Sequence, residues 1–105
     1  MIVIEQLRDI INENKKVNLT FHLFDRLRER KISFFDVINT IRNGEIIEQY
    51  PNDYPHPSCL ILGKSINDDF LHVVCGTDGE YLWIITAYYP NTDKWNDDFK
   101  TRKEQ

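Results

Sequence analysis

Residues 70–89 read FLHVVCGTDGEYLWIITAYY, two apolar runs parted by a short polar stretch. Phe70 to Cys75 and Tyr81 to Tyr89 are rich in Leu, Val, Ile, Trp and Tyr, side chains that suit a pleated, half-buried surface. Thr77 to Gly79 between them hold turn-forming residues, so the pair reads as neighbouring antiparallel strands. Working back along the chain, Glu45 to Tyr50 and Ser58 to Gly63 repeat the pattern, with breaks at Asn52 to Pro57 and Asn67 to Asp69. Four antiparallel strands in a meander are the economical arrangement.

Upstream of Gly44 the period becomes helical. Val3, Leu7, Ile10 and Ile11 predict a helix over about residues 2–15, with Glu5 and Asp9 at its front and Lys15 and Lys16 at its back, as the helix dipole favours. In a second helix after Thr20, Phe21, Leu23, Phe24 and Leu27 fill one arc, and His22, Asp25, Arg26, Glu29 and Arg30 the other. Ser33 followed by Asp36 has the form of a capping box and opens a third helix through Phe34, Val37, Ile38 and Ile41, which Gly44 stops. Beyond the strands, Trp95 and Phe99 at i and i+4 predict a short C-terminal helix. The expected fold class is α+β: N-terminal helices packed on one face of a four-stranded antiparallel meander sheet.

The 105 residues, 41% hydrophobic, supply one core and therefore a single domain over 1–105. No apolar run reaches the roughly 18 residues of a bilayer span, so no membrane partner is expected. Met1 to Glu13 lacks the basic start and unbroken apolar stretch of a secretory signal, and Cys59 and Cys75 sit in strand-like runs as reduced core thiols do. The expected location is cytoplasmic. The net charge of −4 weighs against nucleic acid, because phosphate binding is driven by Lys and Arg. Its distribution softens that objection. Residues 1–44 carry eight basic and six acidic groups, 45–93 one and eight, and 94–105 four and three, which leaves the two ends mildly basic.

Two places can carry chemistry. His22 and Arg26 are one helical turn apart, with Arg30 a further turn along, a set that can hold a phosphate and move a proton. The plainer reading of that face is a row of solvated ion pairs, as for Arg28 and Lys31. His72 is an imidazole in an apolar strand and needs a partner. Simple alternation puts Leu82, Ile84, Thr86 and Tyr88 on one face of the last strand, and Tyr81, Trp83, Ile85, Ala87 and Tyr89 on the other. If His72 faces Thr86 and Tyr88, an imidazole, a hydroxyl and a phenol gather on the sheet. Metal ligation by His22, His56, His72, Cys59 and Cys75 lacks any recognised spacing, and no P-loop, dinucleotide fingerprint or Gly-x-Ser-x-Gly elbow is present. No metal and no cofactor is expected.

The ordered set His22, Arg26, Arg30, Ile32, Ser33, Gly44, Tyr50, Leu71, His72, Val73, Val74, Thr86, Tyr88, Pro90 and Trp95 resembles a prokaryotic domain-of-unknown-function family, number 4258, over about 19–102. In layout that family is similar to the small bacterial RelE and BrnT toxins, whose helices pack on an antiparallel sheet bearing a metal-independent RNA-cleavage site. The chain departs from those toxins in being acidic and in lacking a dense Lys/Arg run. The resemblance implies a toxin-like endoribonuclease with RNA and a cognate antitoxin protein as partners. In that reading His22 and His72 are the acid and base, and Thr86 and Tyr88 position the substrate. Arg26 and Arg30 clamp phosphate, and Tyr89 or Trp95 stacks on a base. The alternative is a non-catalytic protein-interaction module whose Tyr50, Pro51, Tyr54, Pro55 and Pro57 loop meets a partner.

Overall fold

A computed structural model describes residues 1–13 and 16–104. In chain order the elements are α1 (Ile4–Ile11), β1 (Val17–Leu19), α2 (Leu23–Arg30), α3 (Phe34–Asn43), β2 (Glu45–Tyr50), β3 (Ser58–Lys64), β4 (Phe70–Thr77) and β5 (Leu82–Tyr88). The class is α+β, but the sheet has five strands in the order β1-β5-β4-β3-β2, not four. β2 to β5 form the antiparallel meander, while β1 lies parallel to β5, Val17 opposite Leu82 and Leu19 opposite Ile84. Three residues are too few to show a strand period; β1 exists because the edge of β5 needs backbone partners.

The helix ends follow local chemistry. Ser33 caps α3 by accepting from the Asp36 backbone N–H at 3.1 Å. Asp36 does not return the bond; it accepts instead from the backbone N–H of Ile66, tying α3 to the β3–β4 turn at 3.0 Å. At Gly44 a Cβ would lie 2.4 Å from the Leu62 carbonyl oxygen, so glycine is required by a close approach and not by its backbone angles. The first helix is shorter than its periodicity suggests, Ile4–Ile11, and the expected Lys15 end lies outside the described residues. α2 starts at Leu23 and ends at Arg30, with Lys31 capping it in the left-handed region. Phe21, expected on the buried arc, is 93% exposed, and Phe24 is half exposed.

No C-terminal helix forms among the described residues. Trp95 pairs antiparallel with Arg102, held by Asn96 N–H to the Thr101 carbonyl at 2.8 Å and Lys103 N–H to the Lys94 carbonyl at 2.9 Å. The Asp98 carboxylate accepts from the backbone N–H groups of Lys100 and Thr101. Such local side-chain bonds compete with helix and turn the chain back as a hairpin.

One core fills the space between the helices and the inner face of the sheet. Leu7, Ile11, Leu23, Leu27, Val37 and Ile41 meet Ile61, Leu71, Val73, Leu82, Ile84 and Ala87 there, all buried. Complete burial of such a side chain is worth roughly 1.5–3 kcal/mol. Cys59 and Cys75 are register partners in the same core; both thiols are free, and burial raises that of Cys59 to about 12. On the outer face Leu60, Leu62 and His72 are buried as well, His72 against the Trp95 ring of the C-terminal hairpin.

Candidate functional site on the outer sheet face

The register of β4 on β5 decides what the outer face displays. Val74 pairs with Thr86, but Cys75 pairs with Ile84, so Ile85 is an extra residue in a β-bulge. Before the bulge Leu82 and Ile84 point into the core; after it Ala87 does. Trp83, Ile85, Thr86 and Tyr88 therefore share the outer face, each half-buried. Unbroken alternation would separate Trp83 and Ile85 from Thr86 and Tyr88, and the bulge corrects that expectation.

His72 is the register partner of Tyr88 and is fully buried. Its Nε2 lies 2.7 Å from the Phe99 carbonyl oxygen and its Nδ1 3.3 Å from the Tyr88 hydroxyl. A carbonyl can only accept, so Nε2 carries the hydrogen and, in the neutral ring, Nδ1 accepts from the phenol. Burial lowers the His72 pKa below its ordinary value, against opposing help from the Phe99 bond and Glu48. Burial also raises that of Tyr88. At neutral pH the proton therefore rests on the phenol and the imidazole waits as its acceptor.

A guanidinium reaches this pair from the helices. The Arg30 side chain passes from the end of α2 to the Thr86 hydroxyl at 3.0 Å and the Ala87 carbonyl at 2.8 Å. The path is open because β1 covers β5 only as far as Ile84. Thr20 marks where α2 takes over that edge, donating its hydroxyl to the Ile85 carbonyl at 2.8 Å.

Across the sheet the C-terminal hairpin closes the site. Arg102 binds Glu48 through two hydrogen bonds of 2.7 and 3.0 Å and lies 4.6 Å from the Trp95 ring. The Arg102 bond holds the Glu48 carboxyl below its usual range. Tyr50 donates to Glu48, and burial together with that bond pushes its phenol up to about 12. Trp95 stands edge-on to His72, with ring centroids 4.7 Å apart. Between Tyr88, Tyr89, Pro90, Lys94, Trp95 and Arg102 lies a cleft of about 260 Å³.

The structure thus gathers Arg30, Thr86, Tyr88, His72 and Trp95 on one face. It places His22 and Arg26 elsewhere on α2: His22 is mostly exposed with Asp25 at 3.8 Å, and Arg26 faces Glu29 at 3.7 Å. Tyr89 sits at the rim, donating its hydroxyl to the Lys31 carbonyl at 3.2 Å. Trp95 is 3% exposed, a packing anchor with no free ring face for a base. The Glu48–Arg102 pair, Lys94 and the Phe99 carbonyl were not singled out from sequence. Their one signal was Glu48 and Tyr50, two polar residues at strand spacing on a single face.

Among the described residues no group of three or more His, Cys, Asp or Glu side chains could hold a metal ion, and no helix is long and apolar enough to cross a membrane. No curated protein and no solved structure matches the chain at a significant level. The family described as Domain of unknown function (DUF4258) matches residues 19–89. That span runs from Leu19 through α2, α3 and all of β2 to β5, and stops before the hairpin that carries Trp95 and Arg102. With more than half of its length, and both Arg30 and the Tyr88–His72 pair, inside that match, the chain belongs to the DUF4258 family.

Proposed function

We propose that the outer face beside β5 binds RNA and that the protein cleaves it as a toxin-like, metal-independent endoribonuclease of the cytoplasm. The observation that supports this most is the Arg30 bond to Thr86, which brings a helix cation onto the same face as the Tyr88–His72 pair. In the reaction the substrate 2′-oxygen attacks the neighbouring phosphorus and the bond to the 5′-oxygen breaks, leaving a 2′,3′-cyclic phosphate and a 5′-hydroxyl. Tyr88 takes the 2′-hydroxyl proton as its own passes to His72 Nδ1, and the imidazolium so formed keeps its Nε2–H on the Phe99 carbonyl. Arg30 and Arg102 face the charge that grows on the phosphate, and Lys94 in the same cleft supplies the leaving oxygen with a proton. His72 does not meet the substrate in this scheme; it positions and relays through Tyr88. Arg26, one turn before Arg30 on α2, offers a further guanidinium to a flanking phosphate. The acidic middle of the chain suits a basic antitoxin as the partner that restrains the activity.

The test is incubation of purified protein with single-stranded RNA in EDTA. Cleavage to cyclic-phosphate ends, lost on Arg30→Ala with folding retained, is the expected result. One observation favours the second reading, a non-catalytic interaction module: Tyr54, in the proline-bearing β2–β3 loop, is 91% exposed. Intact RNA after prolonged incubation selects it.

A further inference from the structure

At the other end of β5 from Tyr88 is an aromatic cluster that the proposed chemistry does not use. Trp83 lies on the outer face and is stacked by His56, with ring centroids 4.4 Å apart and planes 18° from parallel. Tyr81 is tilted against the same indole at 6.1 Å and is 38% exposed. The bulge aligns this cluster with Ile85, Thr86 and Tyr88 on one surface. α2 ends beside that surface, where Arg30 reaches the Thr86 hydroxyl at 3.0 Å. Flat rings along a strand with the Arg30 cation at its border match a nucleic-acid strand, whose bases stack and whose phosphates are anionic. Trp83 and Tyr88 are five residue steps apart along β5, roughly 16 Å at ~3.3 Å per residue. At the ~3.4 Å rise of stacked bases, that is about five base steps.

Building on the RNA reading above, we infer that His56 and Trp83, bordered by Tyr81, form a base-stacking subsite for single-stranded RNA laid along β5. A trinucleotide held at Tyr88 does not reach it; an octanucleotide does. The bound base extends the His56–Trp83 stack, so sequence preference at this position is weak, since every base has a π-face.

The experiment measures fluorescence anisotropy of labelled 2′-O-methyl oligonucleotides, which bind without being cleaved. The octanucleotide is expected to bind at least about tenfold tighter than the trinucleotide, and His56→Ala to remove about ten- to hundredfold of the octanucleotide affinity, the range of one base stack. His56→Phe, which keeps a flat ring, restores it, and His56→Ala leaves the trinucleotide affinity and the melting temperature in place. Equal affinity of the two lengths, an octanucleotide indifferent to His56→Ala, or no rescue by His56→Phe overturns the subsite. If the subsite fails while Arg30→Ala still weakens RNA binding, the RNA reading stands alone. If neither oligonucleotide binds the wild-type protein, both fall.

Discussion

The two faces of the one sheet are built by opposite rules. Toward the helices, alternate residues of β3, β4 and β5 are aliphatic or thiol, meet aliphatic partners from α1, α2 and α3, and leave nothing to titrate at neutral pH. On the outer face β2, β4 and β5 present Glu48, Tyr50, His72, Trp83, Thr86 and Tyr88, with Arg30 and Arg102 closing in from either side. Burial there is purchased with matched hydrogen bonds, one partner at a time. Stability belongs to the inner face; chemistry has only the outer one to work with.

That division predicts where substitutions act. The largest effect on folding falls on the inner face: Leu71→Ala, fully buried among the helices, costs about 2–5 kcal/mol in denaturant unfolding. A cost no greater than that of an exposed site would break the comparison. On the outer face, Arg102→Ala removes two charge-assisted bonds to Glu48 and the contact with Trp95, and costs about 1–3 kcal/mol. Because the hairpin then loosens, Trp95 fluorescence shifts to the red.

A smaller difference between the faces appears with pH. His72 has a lowered pKa in the folded protein, so the unfolded chain binds more protons. Its share of stability is complete above pH 6.5 and is lost as pH falls from there through the lower folded-state value. Glu48, also lowered, adds a second loss of the same sign below pH 4.5. Thermal melts from pH 8 to 3 check both losses, and His72→Gln removes the slope near 6.5. The smallest effect is a gain. Thr40, 1% exposed beside Gly63, has a buried hydroxyl with no partner, so Thr40→Val stabilises by about 1 kcal/mol.

The inner face was the more legible half. Alternation and turn residues give β2 its observed limits and β3 to β5 theirs to within two residues, while Ser33 and Gly44 bracket α3 as expected. These signals are local, and the core they specify is a matter of period. The outer face depends on features with no local signature. β1 pairs with a strand more than 60 residues away, and the bulge at Ile85 breaks the alternation from which the faces of β5 were inferred. The hairpin defeats the Trp95–Phe99 helix spacing because the Asp98 carboxylate accepts from the backbone N–H groups of Lys100 and Thr101. Arg30 and Thr86 could be nominated from sequence, but their meeting around the free end of β1 could not. Glu48 and Arg102 are 54 residues apart and were invisible as a pair.

The central claim is that the outer face works through the Tyr88 phenol with His72 behind it. Cleavage rates of Tyr88→Phe and wild-type protein on the same RNA in EDTA test it most directly, because the substitution removes one oxygen and keeps the ring. The account predicts a loss of about 10²- to 10⁴-fold, the usual weight of general acid–base help, with the melting temperature nearly unchanged. A Tyr88→Phe protein that cleaves as fast as the wild type would contradict it.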